Sequence, residues 1–264
     1  MNNLPANTGW LWIKQGFAYF RQQPMEFSTL FLAYLFFMLV LGFIPFAGQV
    51  LAFILMPLFT LSFMQGCRGI DQSLRVSPRL LVAGFQSPQA GRLLMLGVLY
   101  LIAASIALGV STLIDDGVFF DIISGQMELN ASNVEDTNMA AAMLFAMLLY
   151  LPALMAFWFA GPLIAWQNMS VFKAVFYSFF ASCKSFRIFL YYGLCWFMLA
   201  GIIPTVVSVI IASITGNQTM IVMIMMPLSM ILTIILYCSF YPSYKSIFGQ
   251  ADSAGNNGES STIS

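Results

Sequence analysis

Charged residues fall in bunches along this chain, and the stretches between the bunches are apolar all round. Residues 27–67 run for 41 positions without a charge, 93–114 for 22, 137–172 for 36 and 188–244 for 57. A helix needs about 20 apolar residues to cross the hydrocarbon core of a bilayer. The first stretch therefore holds two spans, the second one, the third one with an interfacial extension, and the fourth two. The double stretches carry their own breaks. Pro45-Phe46-Ala47-Gly48-Gln49 interrupts the first, and Thr215-Gly216-Asn217-Gln218 the last. Proline removes a backbone donor and glycine tolerates unusual dihedrals, so a helix ends at each. The pattern predicts spans near 27–45, 49–67, 93–114, 139–160, 188–213 and 219–240.

The fold class that follows is all-α: a polytopic membrane bundle of six transmembrane helices arranged as three hairpins. A β-barrel would need strands of about ten residues that alternate apolar and polar, and these runs do not alternate. A cleaved signal peptide is not expected either, because the first span is too long for a signal core and no A-x-A site follows it.

Composition agrees. Sixty per cent of the 264 residues are hydrophobic and 8% are charged, against about a quarter charged in soluble domains. Ten bases and ten acids cannot cover a water-soluble body of this size. The balance also excludes a nucleic-acid partner, which requires a basic excess.

The zero net charge hides two faces. In a six-span arrangement Lys14, Arg21, Arg68, Arg75, Arg79, Arg92, Lys173, Lys184, Arg187 and Lys245 all fall on one side. Asp115, Asp116, Asp121, Glu128, Glu135 and Asp136 fall on the other, with no base among them. Basic loops stay in the cytoplasm. Both termini are therefore expected in the cytoplasm of a multi-pass bacterial inner-membrane protein, with the loop 115–138 outside. Residues 1–248 form the membrane domain, and 249–264, poor in apolar residues, are expected to be a disordered cytoplasmic tail.

Two segments outside the spans have helical periodicity. Residues 170–184 place Phe172, Val175, Phe176, Phe179, Phe180 and Cys183 on one face, and Ser170, Lys173, Tyr177, Ala181 and Lys184 on the other. This helix should lie flat in the interface, with its Phe face buried against lipid or the bundle. Residues 8–22 give a less regular counterpart, with a stripe of Trp10, Ile13, Phe17 and Phe20, Trp12 and Tyr19 beside it, and Lys14 and Arg21 together on another edge. A shorter segment, 79–86, also precedes a span. A shift of 159 positions pairs Lys14 with Lys173, Phe17 with Phe176, Phe20 with Phe179, Gly42 with Gly201 and Pro45 with Pro204, within 8 identities over 32 positions. An interfacial helix plus a hairpin is thus used three times, as parallel repeats.

The opening Gly9-Trp10-Leu11-Trp12-Ile13-x-x-Gly16-Phe17-x-x-Phe20 and the segment Leu149-Tyr150-Leu151-Pro152-Ala153-Leu154-Met155-Ala156-Phe157-Trp158-Phe159-Ala160 resemble an uncharacterised family of proteobacterial six-span inner-membrane proteins. Ser178-Phe179-Phe180-Ala181-Ser182-Cys183 and Cys67-Arg68-Gly69-Ile70-Asp71 are similar to it too. The resemblance implies a six-span inner-membrane protein and no particular reaction.

Candidate chemistry is sparse. No Asp, Glu, Lys, Arg or His lies inside a predicted span, and such residues carry most proton relays and cation sites. There is no P-loop, HExxH or GxSxG, and no histidine at all. The four cysteines form no CxxC pair and none lies in the external loop, so they read as packing residues rather than as a zinc site or disulfides. No catalytic residue, metal or cofactor is expected, and the chain is not expected to be an enzyme. Arg68 and Asp71, three apart, are placed to pair with each other. The densest basic cluster suggests contact with anionic lipid headgroups by Arg68, Arg75, Arg79, Arg92, Lys173 and Lys184, each gaining about 1 kcal/mol near such a surface. The expected function is a non-enzymatic membrane protein that organises lipids or partner proteins, with a membrane protein or a second copy of itself as a possible partner. The competing expectation is a transporter or channel for a neutral or apolar solute, recognisable by a continuous cavity between the hairpins.

Overall fold

The computed structural model describes residues 5, 7–44, 47–123, 127 and 138–256. Helices dominate: α1 (Thr8–Gln22), α2 (Pro24–Gly42), α3 (Ala47–Asp71), α4 (Leu80–Gln86), α5 (Ala90–Asp115), α6 (Val118–Ile123), α7 (Met139–Phe157), α8 (Ala160–Gln167), α9 (Val171–Lys184) and α10 (Phe186–Trp196). A π-helical turn, Phe197–Ile202, leads into α11 (Ile203–Thr215), and α12 runs from Gln218 to Asn256. No strand occurs among the described residues. Six stretches are long and apolar enough to cross a membrane: Pro24–Gly42, Ala47–Asp71, Ala90–Asp115, Met139–Gln167, Phe186–Ile214 and Gln218–Gly249. The chain is an all-α polytopic bundle, and each predicted span lies within one of these stretches except the end of the first, where α2 stops at Gly42 and Phe43 and Ile44 form a turn; Pro45 lies outside the described residues. The last helix extends into the segment expected to be a disordered tail, as far as Asn256, and 257–264 lie outside the described residues.

The chain divides into two compact units. The first comprises Met1–Val40, Leu58–Ser87 and Lys184–Ser264, and the second Leu41–Pro57 and Pro88–Cys183. The division inside α3 falls after Pro57, which lacks the N–H that a continuous helix would use.

In the first unit, α2 packs antiparallel on the later half of α3 through aromatic rings. Phe31 meets Phe63, Tyr34 meets Phe59 and Phe37 meets Phe59, with centroids 5.2–6.3 Å apart. Tyr237 of α12 stacks on Phe63 at 4.8 Å. Helix α1 packs chiefly away from the hairpin that follows it in sequence. It lies on α10 and α12, the last hairpin. Glycines set that approach. A Cβ on Gly9 would come within 2.8 Å of the Ile188 carbonyl, and one on Gly16 within 2.9 Å of the Ile235 carbonyl and of Ser239 Cα. The buried face of α1 is Thr8, Gly9, Trp12, Ile13 and Gly16. Of the predicted stripe, Ile13 is buried, whereas Trp10 and Phe17 are 37% and 48% exposed. Trp12, 1% exposed, is the large side chain of the packed face, and Gly9 and Gly16 beside it permit the close approach that small residues give at helix contacts in lipid.

In the second unit, α5 and α7 form the central pair. Tyr100 stacks on Phe157 at 4.3 Å and donates to its carbonyl at 3.3 Å. Gly97 admits the Ile54 carbonyl so closely that any Cβ there would collide with it. Pro162 cannot continue the hydrogen-bond ladder, and the fourth span breaks at Trp158–Phe159, between α7 and α8.

Candidate functional site

The sequence-predicted headgroup residues sit on distinct pieces of structure. Helix α9 carries Lys173 and Lys184. Turning about 100° per residue, it shows three sectors. Val171, Ala174, Ser178, Ala181 and Ser182 are buried. Phe172, Phe176 and Phe180, 69%, 61% and 55% exposed, form the second sector. Lys173, Tyr177 and Lys184, all exposed, form the third, between the Phe sector and the buried one. The Lys173 ammonium lies 5.9 Å from the Tyr177 ring centroid. The Phe face is therefore not buried in the bundle. The helix docks through its small residues and leaves its aromatic face bare.

That docking repairs a broken helix. In an unbroken helix the Phe159 N–H would donate to the Met155 carbonyl four residues back. Here it donates to the Ser178 hydroxyl at 2.9 Å, while Ser178 and Ser182 donate to the Met155 carbonyl at 3.1 and 3.0 Å. In a low-dielectric surrounding these backbone groups are costly to leave unmade.

Helix α1 has the same three sectors in the same rotational order. Its packed face is followed by exposed Phe17 and Trp10, and these by exposed Arg21 and Lys14. The match between Lys14 and Lys173, and between Phe17 and Phe176, thus extends from sequence to position on the helix.

Asp71, at the end of α3, is the charged centre of the first unit. Its Oδ1 accepts from the Tyr19 hydroxyl at 2.8 Å, and its Oδ2 accepts from Tyr241 at 3.0 Å and from Lys245 Nζ at 2.8 Å. One carboxylate therefore ties α1 and α12 to α3. These three partners are long-range, from helices far away in sequence. Burial, and then the bond to Asp71, pushes the Tyr19 hydroxyl well above its ordinary pKa, so it stays a neutral donor. Arg68 is half-buried on the same turn.

Arg75 and Arg79 are exposed on the connection from α3 to α4, with no ion-pair partner among the described residues. Gln23, between α1 and α2, holds that connection from both sides of Arg75. Its amide nitrogen donates to the Leu74 carbonyl at 3.0 Å and its oxygen accepts from the Val76 N–H at 2.8 Å. The backbone on both sides of exposed Arg75 is thereby held in place. Arg92 differs from the other candidates. Its Nη1 donates to Asn168 Oδ1 at 2.7 Å and to the Asn168 carbonyl at 3.2 Å. It closes a turn in the second unit, where Asn168 adopts positive φ.

On the acidic side, Asp115 is buried and accepts from the N–H groups of Gly117 and Phe119 at 3.2 and 2.7 Å, starting α6. Glu128, Glu135 and Asp136 lie outside the described residues. Among the described residues no three His, Cys, Asp or Glu side chains gather as a metal site would require. All four cysteines are free thiols, with Cys67 and Cys238 buried.

Six apolar spans and two helices with bare aromatic and basic sectors define a multi-pass integral membrane protein. The chain is 35% identical over 249 residues, 92% of each protein, to a protein of Burkholderia thailandensis described as a probable inner membrane protein, and it belongs to the same family. No protein-family model matches the chain, and no solved structure does.

Proposed function

We propose that this is a non-enzymatic protein of the bacterial inner membrane that organises anionic lipids, or a partner protein held among them, on the cytoplasmic side. The carrying observation is the three-sector surface of α9. The small face docks, the Phe face stays bare, and the lysines stand at its edge. A helix of that kind sits at the level where hydrocarbon meets headgroup. Helix α1 repeats the pattern, and Arg75 and Arg79 add exposed charge on the same expected side of the membrane. The inner-membrane placement is supported by the Burkholderia relative, and the orientation by the one-sided distribution of bases.

The test is native mass spectrometry of the protein released from nanodiscs of phosphatidylglycerol and phosphatidylethanolamine. Wild type should retain the anionic lipid preferentially, and less so as ionic strength rises. The combined Arg75→Gln, Arg79→Gln and Lys173→Gln variant should lose that preference while keeping its thermal stability. Equal retention of both lipids by wild type sinks the reading. Uptake of a solute into liposomes driven by an ion gradient would replace it with a transporter. Cysteine labelling at Asn130 and Ser253, in a Cys183→Ser background, tests the orientation. Reaction of position 130 only from the cytoplasmic side reverses it.

A further inference from the structure

Helices α1 and α9 are tied to the bilayer surface at their ends and along their sides. The chain passes from α1 into α2 through Gln23 alone, and from α9 into α10 through Ser185 alone. Each span therefore starts where the helix before it ends, at the boundary of the hydrocarbon. Both helices are also docked. The glycine face of α1 leaves no room between it and the backbone of α10 and α12, and Trp12 Nε1 donates to Ser246 Oγ at 3.0 Å. Ser178 and Ser182 hold α9 to the Met155 carbonyl. Helix α4 follows the same plan on a smaller scale. The Ser62 hydroxyl donates to its Leu80 carbonyl at 3.0 Å, Leu81 and Gly84 are buried, and Val82 and Phe85 are exposed.

These helices precede the first, third and fifth of the six spans, so all three lie at the same leaflet. On the opposite side the described residues supply α6, six residues long. Helices α1 and α9 have 15 and 14 residues, which makes each about 20 Å long. A helix of this kind sinks its apolar face about 5–10 Å into the boundary between headgroups and acyl chains. Phe17 on α1 and Phe172, Phe176 and Phe180 on α9 are the exposed rings that do so here. A free amphipathic helix folds as it binds and withdraws from a tightly packed leaflet. A docked helix joined to a span by one residue does neither, so its rings displace lipid wherever the protein resides. Area added to one leaflet alone favours bending of that leaflet outward. We propose that α1 and α9 are fixed wedges, and that the protein gathers where the leaflet carrying them is convex and loosely packed. The partner of the Phe sectors is thus a lipid surface of defined shape. This inference rests on the interfacial seating of α1 and α9 proposed above and adds curvature to headgroup charge as what the surface recognises.

The experiment uses the full-length protein in giant vesicles of phosphatidylglycerol and phosphatidylethanolamine, from which narrow membrane tubes are pulled. An impermeant dye added outside, on Ser253→Cys in a Cys183→Ser background, marks only molecules whose α1 and α9 side faces out, toward the convex leaflet of the tube. Their density in the tube should exceed that in the flat membrane by about twofold or more. Replacing Phe172, Phe176 and Phe180 together with Ala, which leaves the lysines in place, should remove most of this enrichment and keep the preference for anionic lipid. The combined Arg75→Gln, Arg79→Gln and Lys173→Gln variant should keep the enrichment. Equal density of the protein in tube and flat membrane, or undiminished enrichment of the triple Phe variant, overturns the wedge. Should the triple Phe variant not fold, Phe176→Ala alone decides: lowered enrichment supports the wedge, and unchanged enrichment removes it. Anionic preference with equal densities sinks the wedge and leaves the headgroup reading. Enrichment without anionic preference does the reverse.

Discussion

The Ser178 hydroxyl occupies the place of a missing helix bond, accepting from the Phe159 N–H and donating to the Met155 carbonyl, the two groups that would have bonded each other. Ser182 reaches only the carbonyl. Ser178→Ala should therefore cost more than Ser182→Ala: about 1–3 kcal/mol against about 1 kcal/mol or less, since the first removes the hydroxyl bonding both backbone groups and the second leaves the carbonyl with Ser178. Unfolding of the two variants in detergent measures the difference. Equal losses would show that the break is held by something other than this serine.

The glycines on α1 give a second, geometric prediction. A methyl group at Gly16 would press on the Ile235 carbonyl and the Ser239 backbone, neither of which is a flexible side-chain end. Gly16→Ala should destabilise by about 1–3 kcal/mol through forced separation of α1 from α12. Gly109→Ala, in the interior of α5 with nothing within 4 Å of the added methyl, should be neutral or stabilising by up to about 1 kcal/mol, because alanine favours helix. Melting temperatures of the pair under one set of conditions decide it.

These contrasts mark where the sequence is legible and where it is not. The spans can be read because charge is excluded from hydrocarbon, and the ends of α2 at Gly42 and of α11 at Thr215, close to the predicted breaks, because backbone chemistry is local. The packed faces of α1 and α9 are not read correctly from hydrophobicity. In a bilayer the largest apolar side chains need not face inward, and Phe176 is exposed while Ala174 is fully buried. Gly9, Gly16, Ala174 and Ser178 carried the better signal, as small residues at helical spacing. The Asp71 centre is not legible in the sequence for a different reason. Its partners Tyr19 and Lys245 are 52 and 174 residues away, whereas spacing rules see only Arg68. Gln23 was missed because a lone glutamine between helices has no local signature.

The faces of α9 can be separated by experiment. Ala174→Phe places a ring where no space exists and should destabilise by about 1–3 kcal/mol. Phe176→Glu alters an exposed position, so its stability in detergent should change by no more than about 0.5 kcal/mol. In a bilayer the same carboxylate opposes seating of the helix, and a fluorophore attached at Cys183, exposed on the same sector, should move toward water. A large loss of detergent stability for Phe176→Glu would mean that this sector packs against protein.

The last prediction concerns the shared carboxylate of Asp71. Its ion pair with Lys245 joins a lysine side chain that is 58% exposed to an aspartate that is 31% exposed, and such pairs are worth at most about 1 kcal/mol. Lys245→Met should therefore cost little, and high salt should erase most of the cost. Asp71→Ala removes the acceptor of Tyr19 and Tyr241 as well, leaving two part-buried hydroxyls to find water, and should cost about 2–3 kcal/mol, largely independent of salt. Asp71→Asn keeps one oxygen for one tyrosine and should fall between the two. Unfolding of the three variants at low and high salt gives the ordering. If Lys245→Met and Asp71→Ala lose the same amount and respond alike to salt, the centre is a simple ion pair and the tyrosines contribute nothing to holding α1 and α12 on α3.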